Sequence, residues 1–141
     1  MTPNDFVEIL LVEDNPLDAE LTIRAFKKRN LANHLHHVVD GEQAVQFFLQ
    51  NPGRPNPKVV LLDIKLPKLS GLEVLQQLRE HEQTKNLPVV ILTSSAEDSD
   101  LERAYALGAN SYIVKPVNFE NFAEAVGQLG MYWVLFNQPP N

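Results

Sequence analysis

Five short apolar runs, each handing over to a helix-period pattern, constrain this chain more than any other feature. The clearest is Val59-Val60-Leu61-Leu62, four consecutive apolar residues of which two are β-branched. Uninterrupted runs of this kind belong to strands buried on both faces, as in parallel sheets. This one closes on Asp63. Pro67 and Gly71 punctuate the turn that follows, and the stretch from Gly71 to Leu78 opens a helical pattern. Residues 8–12 read as a similar strand ending on Glu13-Asp14. Residues 34–39 make a weaker, more polar one, residues 87–92 another ending on Thr93-Ser94, and residues 111–114 a last one ending on Lys115-Pro116. Strand-helix alternation repeated five times predicts an α/β fold, (βα)5: five parallel strands in one doubly wound sheet with right-handed crossovers.

The helices are delimited by their ends. Asn15-Pro16 is an N-cap followed by proline at the first helical position, and Leu17, Leu21, Ala25 and Phe26 recur behind it at helical spacing. Lys27-Lys28-Arg29 complements the dipole at the far end. The second helix, after Asp40-Gly41, carries Ala44, Val45, Phe48 and Leu49, and residues 51–57 form a proline-rich loop. The third helix runs from Gly71 to about His81. Residues 97–107 should turn Leu101, Ala104 and Tyr105 inward, with Gly108 as the C-cap. The last helix presents Phe119, Phe122, Ala123, Val126 and Leu129. Residues 1–141 are expected to be one domain, with a core over about 7–127 and a C-terminal helix and aromatic tail over 128–141.

Composition narrows the function classes. A net charge of −6 argues against direct nucleic-acid binding, which needs a basic face. No apolar run reaches the length of a membrane span, and the N-terminus lacks a secretory pattern. The absence of cysteine excludes disulfides and thiolate metal sites and fits the cytoplasm.

In open α/β sheets, ligands sit outside the carboxyl ends of the strands. Glu13, Asp14, Asp63, Thr93 and Lys115 all fall there. Three neighbouring carboxylates repel one another, and an oxygen-rich cluster suits a hard divalent cation such as Mg2+. Lys115 as a point charge and Thr93 as a hydroxyl donor suit a phosphoryl group. Asp63 can itself be the nucleophile, because aspartyl phosphates are an established covalent strategy.

With Pro67 and Gly71 behind Asp63, and Tyr112 three residues before Lys115-Pro116, these pieces make the chain resemble the receiver domain of two-component response regulators, a flavodoxin-like fold, over about residues 7–127. The resemblance implies that Asp63 accepts phosphoryl from a sensor histidine kinase. It implies that Glu13 (through water), Asp14, Asp63 and the Lys65 backbone carbonyl hold Mg2+. Lys115 would contact the phosphoryl group, Thr93 would swing toward it, Ser94 would leave it accessible, Tyr112 would turn inward, and the Lys115–Pro116 bond would be cis.

Two other classes fit the sequence less well. A Mg2+-dependent phosphohydrolase with an aspartyl nucleophile usually carries a second acid two residues on, where this chain has Lys65. A flavodoxin-like cofactor binder wants a phosphate-cradling loop after the first strand, where Glu13-Asp14 would repel phosphate. The receiver reading makes the protein a signalling module rather than an enzyme with a separate substrate, with its output passing to an unidentified downstream protein through contacts.

Two stretches lie outside that pattern. His34, His36 and His37 look like a metal cluster, but alternate residues of a strand point to opposite faces, so they read as surface residues. The tail Met131-Tyr132-Trp133-Val134-Leu135-Phe136 places six large apolar residues in a row, more than one inward stripe can use. Tyr132, Trp133 and Phe136 are therefore expected to form a dimer or partner surface. Together with Asn15-Pro16, this ending resembles the small single-domain regulators of cyanobacterial phytochromes. That resemblance implies a homodimer and a phytochrome-type kinase as partner.

Overall fold

A computed structural model of the chain describes residues 7–29, 31, 34–50, 53, 55–94 and 98–130, with Asp98 by its backbone alone. Five strands alternate with five helices: β1 (Ile9–Val12), α1 (Pro16–Lys27), β2 (Leu35–Val38), α2 (Gly41–Gln50), β3 (Val59–Asp63), α3 (Gly71–Glu80), β4 (Val89–Thr93), α4 (Asp98–Ala106), β5 (Ser111–Val114) and α5 (Phe119–Gln128). All pairings are parallel, in the order β2-β1-β3-β4-β5. The expected doubly wound α/β sheet is what forms.

Every residue of β1, β3 and β4 is buried, which accounts for their unbroken apolar runs. Strand alternation divides those residues between two cores. Ile9, Leu11, Val59, Leu61, Val90 and Leu92 meet α1 and α5. Leu10, Val12, Val60, Leu62, Val89 and Ile91 meet α2, α3 and α4. Phe26 of α1 and Phe122 of α5, both fully buried, pack with ring centroids 4.4 Å apart. Burying a side chain of that size contributes about 1.5–3 kcal/mol. The edge strands β2 and β5 are only partly covered and tolerate polar residues.

The caps follow their residue types. Asn15 Oδ1 accepts from the backbone N–H groups of Leu17 (3.0 Å) and Asp18 (3.1 Å). Ser70 caps α3 and Asn118 caps α5 in the same way. Gly108 ends α4 at φ +99°, the left-handed conformation that glycine adopts without strain.

Three helix faces differ from the sequence expectation. Leu17 and Leu21 are 62% and 45% exposed, whereas Ala19, Thr22 and Phe26 face the core. Those three lie on one line of a 3.6-residue period, and residues 17 and 21 fall on its far side. Thr22 can be buried because its hydroxyl donates to the Asp18 carbonyl (2.9 Å). On α2, Ala44 and Phe47 are buried and Val45 and Phe48 partly so, but Leu49 is exposed. On α4, Ala104 is buried, Leu101 is half-buried and Tyr105 is exposed, lying edge-on to Tyr112.

Gly71 joins the fold to the end of β3. Its N–H donates to the Ile64 carbonyl (2.8 Å), and a Cβ added to it would fall inside the Asp63 carbonyl oxygen. The obstacle is main chain, which has little freedom to yield. Gly71→Ala should destabilise the protein by at least ~2 kcal/mol in urea unfolding. Gly53→Ala, whose Cβ meets nothing within 4 Å, should change the midpoint little.

Candidate functional site

The chain leaves β1 toward β2 on one side and returns through β3, β4 and β5 on the other, so the winding reverses between β1 and β3. Helices on opposite faces diverge at such a point and leave a crevice at the carboxyl ends of the strands. Val12 pairs with Leu62 across it, so the residues that follow, Glu13-Asp14 and Asp63, arrive side by side. Thr93 ends β4 and Lys115 follows β5; the Lys115 N–H donates to the Thr93 carbonyl (2.7 Å).

Glu13, Asp63 and Thr93 are buried, whereas Asp14 and Ser94 are exposed at the mouth. One carboxylate oxygen from each of Glu13, Asp14 and Asp63 lies within 4.8 Å of the others. Lys115 Nζ reaches Asp63 Oδ2 at 2.7 Å, Glu13 Oε1 at 2.8 Å and Asp18 Oδ2 at 3.1 Å. The Lys65 N–H donates to Asp63 Oδ1 (3.2 Å), and the Asn15 N–H donates to Glu13 Oε2 (3.1 Å). The Lys115–Pro116 peptide is cis. Tyr112 is half-buried, its ring centroid 6.2 Å from that of Tyr105. Tyr132, Trp133 and Phe136 lie outside the described residues.

Comparison with known proteins gives this arrangement its family. The model of the response regulator receiver domain matches residues 9–127. The chain belongs to that family. The receiver is similar to the bacteriophytochrome response regulator RtBRR, whose solved structure it matches at 47% identity with a TM-score of 0.81, over 96% of this chain and 84% of that one. It is 41% identical to the probable methanogenesis regulatory protein FilR2 of Methanothrix harundinacea, over 94% of this chain and 86% of the relative. It is 35% identical to the response regulator Rcp1 of Synechocystis, over 89% and 88%. A solved Mn(2+)-bound form of Rcp1 superposes with a TM-score of 0.72 at 31% identity, covering 94% of this chain and 96% of that one. Receivers take phosphoryl groups from histidine kinases, and they generally signal rather than convert a substrate.

The electrostatics of this receiver favour a cation. Glu13, Asp18 and Asp63 contact the Lys115 ammonium, Asp14 stands beside Glu13 and Asp63, and the donors are all oxygen. Oxygens within 4.8 Å of one another fit around one hard cation, whose opposing ligands lie ~4–5 Å apart. The acidic cluster can therefore hold a divalent metal. Burial pushes the Glu13 carboxyl up to about 7; the Lys115 bond opposes this and the Asp63 charge adds to it. Burial alone would lower the Lys115 pKa, but its bonds to Asp63, Glu13 and Asp18 outweigh that and hold it above the usual lysine value.

Two contacts escape a reading by strand endings. Asp18, on the first turn of α1, joins Lys115; its only sequence signal is an acid one helical turn after Asp14. His37 is not merely a surface residue, because its Nε2 lies 2.8 Å from the Glu13 carbonyl oxygen. A carbonyl only accepts, so Nε2 carries the hydrogen. With the Glu13 N–H donating to the Val38 carbonyl (3.1 Å), β2 holds the Glu13 main chain through both its N–H and its carbonyl. His36 instead stacks on Phe47, 5.3 Å between centroids.

The raised Glu13 pKa gives a pH dependence of known sign. Its folded value of about 7 lies above the ordinary 4.5, so folding favours the protonated form, and this contribution is lost as pH rises across that window. In the absence of divalent cations, wild-type stability measured against Glu13→Gln should fall by about 1–3 kcal/mol between pH 4.5 and 7. A parallel course of the two proteins in pH-dependent urea unfolding would contradict the assignment.

Proposed function

We propose that the protein is a response regulator in which Asp63 accepts a phosphoryl group from a histidine kinase and passes the change on through protein contacts. The observation that carries this is the setting of Asp63. It is a buried carboxylate at the winding reversal, one oxygen on the Lys115 ammonium and the other on the Lys65 N–H, beside two further acids. Glu13, Asp14, Asp63 and the Lys65 carbonyl would hold Mg2+, Glu13 through water. When bound, the ion supplies positive charge against the phosphoryl oxygens. An Asp63 oxygen attacks phosphorus, the bond from phosphorus to the kinase histidine breaks, and its electron pair leaves with the imidazole nitrogen. Lys115 answers the charge that arrives, and exposed Ser94 leaves the approach open.

The phosphoryl group brings about −1.5 to −2 charge and new acceptor oxygens. Thr93 moves to bond one of them, and Tyr112 turns inward behind it, repacking the face made by α4, β5 and α5. Moving an equilibrium from 1:99 to 99:1 takes roughly 5.5 kcal/mol. Two charge-assisted bonds of about 1.5–3 kcal/mol each supply most of it.

A phytochrome-type kinase is the partner supported by the likeness to RtBRR and Rcp1, and the cytoplasm is the proposed location. The aromatic residues Tyr132, Trp133 and Phe136 make the tail the proposed self-association surface of a homodimer.

Beryllofluoride, which mimics the aspartyl phosphate, tests the acceptor. With Mg2+ it should change Trp133 fluorescence saturably in the wild type and leave Asp63→Asn unaffected. Lys115→Ala should still take labelled phosphoryl from a small phosphodonor, yet lose the fluorescence change. Label retained on Asp63→Asn would overturn the acceptor. Removal of residues 131–141 should give a monomer by light scattering, and an undiminished dimer mass would remove the tail from the interface.

A further inference from the structure

An ammonium group has three N–H donors and no acceptor, and Lys115 has three carboxylates to match them. Nζ lies 2.7 Å from Asp63, 2.8 Å from Glu13 and 3.1 Å from Asp18. A phosphoryl oxygen that bonds Lys115 must therefore replace one of these partners. Asp63 is the carrier of the group. The Glu13 side chain is 1% exposed, and its second oxygen is held by the Asn15 N–H. Asp18 differs on every count. Its contact is the longest, its side chain is 32% exposed, and it stands on a helix rather than at a strand end.

We infer that Asp18 is a positioning residue for phosphoryl transfer: it holds Lys115 in the resting receiver and is the ligand that the phosphoryl group displaces. This deepens the proposed function and rests on Asp63 being the acceptor. The exchange moves no proton. Lys115 keeps all three hydrogens, one of its bonds passes from Asp18 to a phosphoryl oxygen, and the freed Asp18 carboxylate turns to water. Asp18 also sets a negative charge beside the place where a second one must arrive. Competition for Lys115 and direct repulsion act in the same direction, so Asp18 restrains spontaneous phosphorylation.

The bland alternative is an acid that only complements the N-terminus of α1. The two roles separate cleanly. Asn15 caps the backbone N–H of residue 18, so Asp18→Asn leaves the cap in place and removes only the side-chain charge. Glu20→Gln makes the same charge change on the same helix, at an exposed residue paired with Arg24 and not with Lys115.

The full-length protein, Asp18→Asn and Glu20→Gln would each be titrated with beryllofluoride at fixed Mg2+ in a calorimeter, with thermal melts alongside. Asp18→Asn should bind about two- to fivefold more tightly than wild type, the range fitting a partly exposed ion pair. Glu20→Gln should bind as wild type does. Unchanged or weaker binding by Asp18→Asn, or an equal gain in Glu20→Gln, would overturn the inference. Should Asp18→Asn fail to fold, Asp18→Ser carries the same comparison. A wild type that binds no beryllofluoride removes the acceptor reading and this inference together, whereas wild-type binding matched by Asp18→Asn removes the inference alone.

Discussion

The pocket depends on one ammonium. Lys115 enters from beyond β5, at the edge of the sheet, and its Nζ meets side chains that follow β1, end β3 and open α1. Buried like charges are costly, and Glu13 and Asp63 are both buried. Lys115 makes their proximity tolerable and joins side chains from three different elements at this end of the sheet. Taking one member from a buried charged set leaves the remaining charges uncompensated. On the proposed function, the same group holds the resting pocket together and exchanges one of its partners when a phosphoryl group arrives.

What the sequence discloses here follows from where strands stop. Glu13, Asp63, Thr93 and Lys115 each close an apolar run, and parallel strands bring their carboxyl ends to one edge, so strand endings alone gather those four. Asp18 and His37 stay hidden for a physical reason. Each contacts the site from inside an element rather than at its end, Asp18 meeting Lys115 across 97 residues of chain and His37 meeting Glu13 across 24. Neither strand nor helix periodicity encodes such a meeting. The helix faces misread from the sequence have a related cause. Leu17, Leu21, Leu49 and Tyr105 are large and largely apolar by type, but such residues are common on protein surfaces, and on α1 the inward face falls on Ala19, Thr22 and Phe26 instead. The tail residues Tyr132, Trp133 and Phe136 lie outside the described part of the chain.

The charge balance and the chemistry agree. Three acids bond one lysine and Asp14 stands beside two of them, and burial, reinforced by the Asp63 charge, lets Glu13 hold its proton nearly to neutrality. A cation at this place therefore competes with the Glu13 proton. The oxygen-only donor set is consistent with the Mn(2+)-bound form in which Rcp1 was solved.

Nearly every group with chemistry to perform stands at, or just past, the last residue of its strand. Glu13 and Asp14 follow β1, Lys115 follows β5, and Asp63 and Thr93 are the final residues of β3 and β4. The layers that hold the sheet together lie one step earlier, in the alternating apolar residues of β1, β3 and β4. Stability and reactivity are thus written in adjacent but separate letters of each strand. Substitutions around the rim can retune how fast a signal is received or erased without rewriting the scaffold, which gives such a domain room to diversify in timing while keeping one architecture.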